Sequence, residues 1–224
     1  MFKLLALPIA LWLGLGSTAV ITQTGGHRHD AGQAPALQGA SKAYADANAK
    51  MHNDMAIHYS ENADVDFVRG MIPHHQGAID MAKVVQRYGK DSELRKLAGE
   101  IIAAQEQEIA WMQRWLAIPS NALAAMVEHH DHGSGPLEPE TAAGKGYVQA
   151  NMTMHAAMDI AYSGDADVDF VRGMIPHHQG AIDMAKIVQE RGSDPDVKTL
   201  AAEIIKAQEQ EIAGMRGWLR ERGH

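Results

Sequence analysis

The chain has no cysteine in its 224 residues, which excludes disulfides, thiolate zinc sites, iron–sulfur clusters and thiol catalysis. Aromatic residues are scarce at 5%, so Ala, Leu, Ile, Val and 13 Met must fill the interior. Positive charge is the minority, 20 Lys and Arg against 28 Asp and Glu. This argues against a nucleic-acid binder or a surface that seeks polyanions. A Gly-x-Ser-x-Gly elbow, a phosphate loop and a dinucleotide fingerprint are also missing, so hydrolytic and nucleotide chemistry are not expected. What is present is a 46% apolar content, enough for a real core, and 13 His beside the 13 Met.

The N-terminus reads as an address. Lys3 gives a short positive start, Leu4 to Leu13 is an apolar run, and Ser17-Thr18-Ala19 fits a small-residue cleavage site. Gly14, Gly16 and the Ser17-Thr18 pair interrupt the stretch before it reaches the roughly 20 apolar residues a spanning helix needs. Residues 1–22 are therefore expected to be an export signal, with an uncleaved anchor as the rival reading. The mature protein is then periplasmic or secreted, without membrane contact after cleavage. Residues 23–40 read as a flexible lead-in and 128–140, rich in His, Gly and Pro, as a linker. Their histidines, His27, His29, His129, His130 and His132, have the composition of a weak metal scavenger or of plain solvated chain.

The folded blocks, 41–127 and 141–224, are one unit written twice. Ala63 to Lys83 is identical to Ala166 to Lys186 at all 21 positions, an offset of 103 that holds to the end of the chain. The run Ala104 to Ala110 recurs as Ala207 to Ala213, and Met51-His52-x-x-Met55 recurs as Met154-His155-x-x-Met158. Such a duplication predicts two halves related by a pseudo-two-fold axis.

Apolar spacing throughout is that of helices. Asp64 is read as an N-cap; Phe67, Met71, His74, Ala78, Met81 and Val85 then share one stripe, and Gly89 closes the helix. Ser92, or Asp194 with Pro195, opens the next helix, whose inner stripe is Leu94, Leu97, Ala98, Ile101, Gln105, Glu108, Met112 and Trp115. A leading helix spans about 41–59 and again 146–162. The expected architecture is all-α: a tandem three-helix unit making a bundle of four long helices with two more alongside.

Three features disturb that bundle. Pro73 lies inside a periodic stretch, where it should kink or restart the helix. His74 and His75 follow it; Met71 lies between their directions and Met81 nearly under His74, so imidazoles and thioethers converge. Gln105 and Glu108 occupy stripe positions that Leu or Ala would normally hold. Imidazole plus thioether favours Cu(I), or a similarly soft ion such as Ag(I), with Cu(II) open through imidazole; calcium and magnesium want oxygen. On the leading helix, Met51, His52, Met55 and His58 add to the set, as do Met152, Met154, His155 and Met158 in the repeat. Glu108 fits as an acceptor that fixes a histidine tautomer, or as a ligand itself, with Glu211 its counterpart. The plainer alternatives stay open. A Met stripe also fills a core, and a His74–Glu108 hydrogen bond would explain both residues without metal.

The run Gly70-Met71-Ile72-Pro73-His74-His75-Gln76-Gly77-Ala78, with Gln105-x-x-Glu108-Ile109-x-x-Met112 downstream, resembles the domain-of-unknown-function family 305. The resemblance covers about 50–118 and 153–222. It implies a ferritin-like helical bundle, usually exported, with copper binding and copper tolerance among some members. By that resemblance the ligand candidates are Met71, His74, His75, Met81 and Met112, with Met174, His177, His178, Met184 and Met215 as their counterparts. The expected function is a non-enzymatic copper-binding or sequestering protein whose partner is the metal ion, with a copper donor or acceptor protein left open. The rivals are a ferritin-like di-iron or other metal-dependent oxidase, weakened because Glu-x-x-His occurs only once, at Glu221 to His224, where such a site uses two, and a metal-free interaction protein.

Overall fold

The computed structural model describes residues 37–60, 62–126, 139 and 141–224. The expected export signal, nearly all of the lead-in and all of the linker except Pro139 lie outside the described residues.

All regular structure among the described residues is helical. The helices are α1 (Gly39–Asp54), α2 (Ala63–Tyr88), α3 (Ser92–Leu116), α4 (Pro119–Met126), α5 (Ala142–Met158), α6 (Ala166–Arg191) and α7 (Pro195–Glu221). Helices α2 and α3 form one hairpin, α6 and α7 another; α2 packs against α6, while α1 lies on α2 and α5 on α6. The short α4 follows α3 and was not foreseen. No described helix is long and apolar enough to cross a membrane.

Helix boundaries follow local chemistry. Asn62 caps α2, its side-chain oxygen accepting from the Asp64 and Val65 amides, and Asp165 does the same for α6. The cap is therefore not Asp64, which the sequence suggested. Asp64 and Asp167 instead reach into the other repeat. Asp64 Oδ2 accepts from the Ser193 and Asp194 amides at 2.8 and 3.2 Å, and Asp167 Oδ2 from those of Lys90 and Asp91 at 2.8 and 3.1 Å. That explains the glycines closing α2 and α6. Gly89 has an ordinary φ of −69°, but a Cβ there would lie 2.5 Å from the Asp167 carboxylate. The constraint is close approach, not a left-handed turn.

Asp91 and Asp194 cap α3 and α7. Each also holds the last-turn tryptophan of the opposite repeat, through Trp218 Nε1 to Asp91 at 3.0 Å and Trp115 Nε1 to Asp194 at 3.2 Å. Tyr44 donates to the Ala166 carbonyl and Tyr147 to that of Ala63, both at 2.9 Å. Each contact thus occurs twice with the repeats exchanged, which is the signature of a two-fold axis.

Two sequence expectations need correction. Helix α2 does not restart at Pro73; it runs unbroken from Ala63 to Tyr88. One lost backbone bond is absorbed by a 26-residue helix packed on α1, α3 and α6. Helix α1 ends at Asp54, with Met55 as its C-cap, so exposed His58 lies past the helix and does not share a helical face with Met51.

Candidate metal centre

The stripe of α2 turns inward: Phe67, Met71, His74, Ala78, Met81 and Val85 are all buried, as are their counterparts on α6. His74 and His177 meet each other across the axis, ring centroids 3.9 Å apart and planes tilted by 51°. Both are fully buried. His75 and His178 are equally buried but diverge from their neighbours, because adjacent helical residues point about 100° apart. His75 Nε2 lies 2.6 Å from Glu108 and His178 Nε2 2.6 Å from Glu211. Glu108 therefore serves His75, not the His74 that a hydrogen-bonded alternative would require.

These contacts set the tautomers. His177 Nε2 lies 3.0 Å from the His74 carbonyl oxygen, which only accepts, so Nε2 carries the proton and Nδ1 is a bare lone pair. His75 donates from Nε2 to the Glu108 carboxylate, and its Nδ1 is likewise bare. Neither Nδ1 finds a hydrogen-bond partner in the protein. His74 is worse placed: one ring nitrogen is turned to the His177 backbone without a fully formed hydrogen bond, and the other has no partner. An orphaned buried donor costs about 1–3 kcal/mol. Burial, and after it the charges of neighbouring imidazoles (His177 first for His74, His178 first for His177), holds both rings well below the usual histidine range. They are neutral near pH 7, the form in which imidazole binds a metal.

Buried methionines occupy the helical turns on either side of this pair. Met71 and Met174, fully buried, lie one helical turn before His74 and His177. Met184 crosses from α6 to lay its methyl 3.1 Å from the Cβ position of Gly70, and Met81 lies 3.0 Å from that of Gly173. Met51 and Met154 press their sulfurs against Gly77 and Gly180, one turn past each histidine. Met112 and Met215 are fully buried on α3 and α7, one turn beyond Glu108 and Glu211. Met55 and Met158 are buried at the ends of α1 and α5, whereas Met152 is 62% exposed. Among the described residues no three His, Asp or Glu side chains gather closely enough to hold an ion by themselves. A centre on His74 and His177 would thus draw on thioether.

The sequence did not reveal the buried acids. Asp66 Oδ1 accepts from the Ser60 amide and hydroxyl at 2.6 and 2.8 Å, and Asp169 matches it with Ser163. Their charges, following burial, help raise the phenols of Tyr59, pushed up to about 12, and of Tyr44 and Tyr147. An acidic residue in the first turn of a helix is ordinary, so nothing in the sequence separates these from solvated ones.

The fold and centre define a class: a twinned helical bundle with a histidine- and methionine-lined interior. The chain belongs to the family described as domain of unknown function (DUF305), whose sequence profile matches residues 17–116 and 64–219. Its structure is similar to that of CopM in the Cu(I)-bound form, at 32% identity over 70% of this chain and 96% of that one, with a TM-score of 0.51. CopM in an Ag-bound form matches at 31% identity over 70% and 95%, with a TM-score of 0.50. A DUF305 protein of Streptomyces coelicolor matches at 28% identity over 74% and 96%, with a TM-score of 0.53. Uncharacterized protein L153 of Acanthamoeba polyphaga mimivirus is 46% identical over 56 residues, 25% of this chain and 37% of that protein's length.

Proposed function

We propose that this protein is an exported copper-binding protein that holds Cu(I) in its core, as a buffer or sequestering agent and not as a catalyst. The observation that carries the reading is the His74–His177 pair, fully buried with neither His74 nitrogen nor His177 Nδ1 satisfied, in a core that also buries Met71, Met81, Met174 and Met184. Evolution of a merely structural core would pair or replace such groups. A soft monovalent ion accounts for the neutral imidazoles and the sulfur together.

His74, His177 and sulfurs from Met71, Met174, Met81 and Met184 are the assigned ligands. Glu108 orients His75, whose bare Nδ1 stands in reserve, and Glu211 lies beside His178 at the matching position. Because His74 and His177 touch, one centre shared by both repeats fits better than one in each. Support from relatives is that CopM has Cu(I)-, Cu(II)- and Ag-bound forms. Support for export is the N-terminal sequence and the naming of the Streptomyces coelicolor relative as a candidate secreted protein. A di-iron oxidase finds no such support, its carboxylate-rich donor set being absent among the described residues.

Anaerobic titration of the metal-free protein against a Cu(I) chelator is expected to give a dissociation constant tighter than micromolar. Zn(II) should bind far more weakly. Equal affinity for Zn(II), or Cu(I) binding no tighter than micromolar, would end the copper assignment.

A further inference from the structure

A second pair of counterpart histidines meets across the same axis. His52, in the last turn of α1, and His155, in the last turn of α5, approach with Nδ1 to Nδ1 at 2.8 Å and ring centroids 4.3 Å apart. A residue that touches its own counterpart must lie on the symmetry axis. His52–His155 and His74–His177 therefore stand on one line through the bundle. Exposure falls along that line: His52 is exposed, His155 half-buried, and the inner pair fully buried.

The outer pair is not closed off by its mutual bond. One Nδ1 donates and the other accepts. His155 Nε2 is buried without a partner, and a bare lone pair there costs less than an orphaned N–H. His155 is therefore the Nδ1 donor, and its Nε2 is a free ligand atom beneath the surface. The residues preceding the outer pair, Met51 and Met154, lay their sulfurs on α2 and α6 one turn from His74 and His177. Imidazole at the surface, thioether below it and imidazole again at the centre form a graded series of soft donors.

We propose that the His52–His155 pair is the port of the core site: it takes a Cu(I) or Ag(I) ion from solvent and passes it, by way of Met51 and Met154, to His74 and His177. Transfer is ligand exchange with no change in oxidation state. The ion binds the bare lone pair of His155 Nε2 while Nδ1 keeps its proton, so entry breaks no bond to hydrogen. The proposal rests on the core being the metal site, and its test separates the two.

The test is the stopped-flow rate at which Ag(I) loads the full-length, metal-free protein, read beside the equilibrium affinity. His52→Ala with His155→Ala is expected to slow loading and chelator-driven release about tenfold or more, with affinity within about twofold of the parent. His52→Gln with His155→Gln restores a cross-axis hydrogen bond without imidazole, and should be equally slow. Unchanged rates in the Ala pair, or recovery of the rate by Gln, would overturn the port. So would a fall in affinity matching that of a His74→Ala, His177→Ala variant. If the parent protein takes up no Ag(I) or Cu(I) at all, the core assignment itself fails.

Discussion

His74 illustrates what a single residue contributes to this account. Its ring is held neutral in a site that satisfies neither nitrogen, so it weakens the metal-free fold. Replacing His74 and His177 by Leu, of similar volume, removes the orphaned groups. The metal-free variant is expected to gain about 1–3 kcal/mol in denaturant unfolding while Cu(I) affinity falls by at least a hundredfold. The pH dependence has a definite sign. His74, His177 and His155 have lowered folded values, that of His155 about 4, so the unfolded chain binds more protons below about 6.5. Stability contributed by these rings is full above pH 6.5 and is lost as pH falls towards the folded values. The melting temperature of the metal-free protein should drop between pH 7 and 5, and the Leu variant should show a shallower drop. From the sequence, the inward turn of the adjacent histidines was legible because His74 lies on the apolar stripe and Met71 lies between the directions of His74 and His75. Which of them faces the axis was not. That depends on where α6 packs, and the same spacing allowed His74 to meet Glu108.

Helices α2 and α6 carry their sites through close packing. A Cβ on Gly77 would overlap the Met51 sulfur and stand 3.0 Å from Met51 Cβ, with Gly180 and Met154 repeating the arrangement. Gly214 on α7 has nothing within 4 Å. Helix propensity alone would favour alanine at each position by about 1 kcal/mol. Gly214→Ala is therefore expected to stabilise by about that amount, and Gly77→Ala to destabilise by about 1–3 kcal/mol because Met51 must move. Chemical denaturation of the two variants checks both signs. At this scale the apolar period gave the long helices to within a few residues. It missed where α1 stops, the unbroken path of α2 through Pro73, which packing on α1, α3 and α6 sustains, and the role of Asp64, which contact with the other repeat decides.

The whole molecule is held by reciprocal ties: Asp64 and Asp167 on the opposite loops, Tyr44 and Tyr147 on the opposite α6 and α2, and Trp115 and Trp218 on the opposite caps. Either repeat alone exposes the faces these ties cover. Because the two are so alike, the first repeat expressed alone, residues 36–126, should pair with itself. Sedimentation is expected to show a helical dimer; a stable helical monomer would show that the repeats fold independently. The twinning was plain in the sequence, but the axis and the two histidine pairs on it emerge only once the halves are docked.

X-ray absorption at the copper edge of the anaerobically loaded, full-length protein reads the ligand atoms themselves. Both nitrogen and sulfur scatterers are expected around Cu(I), with the nitrogen component lost in the His74→Leu, His177→Leu variant. A shell of nitrogen and oxygen only, unchanged in that variant, would contradict the core copper site.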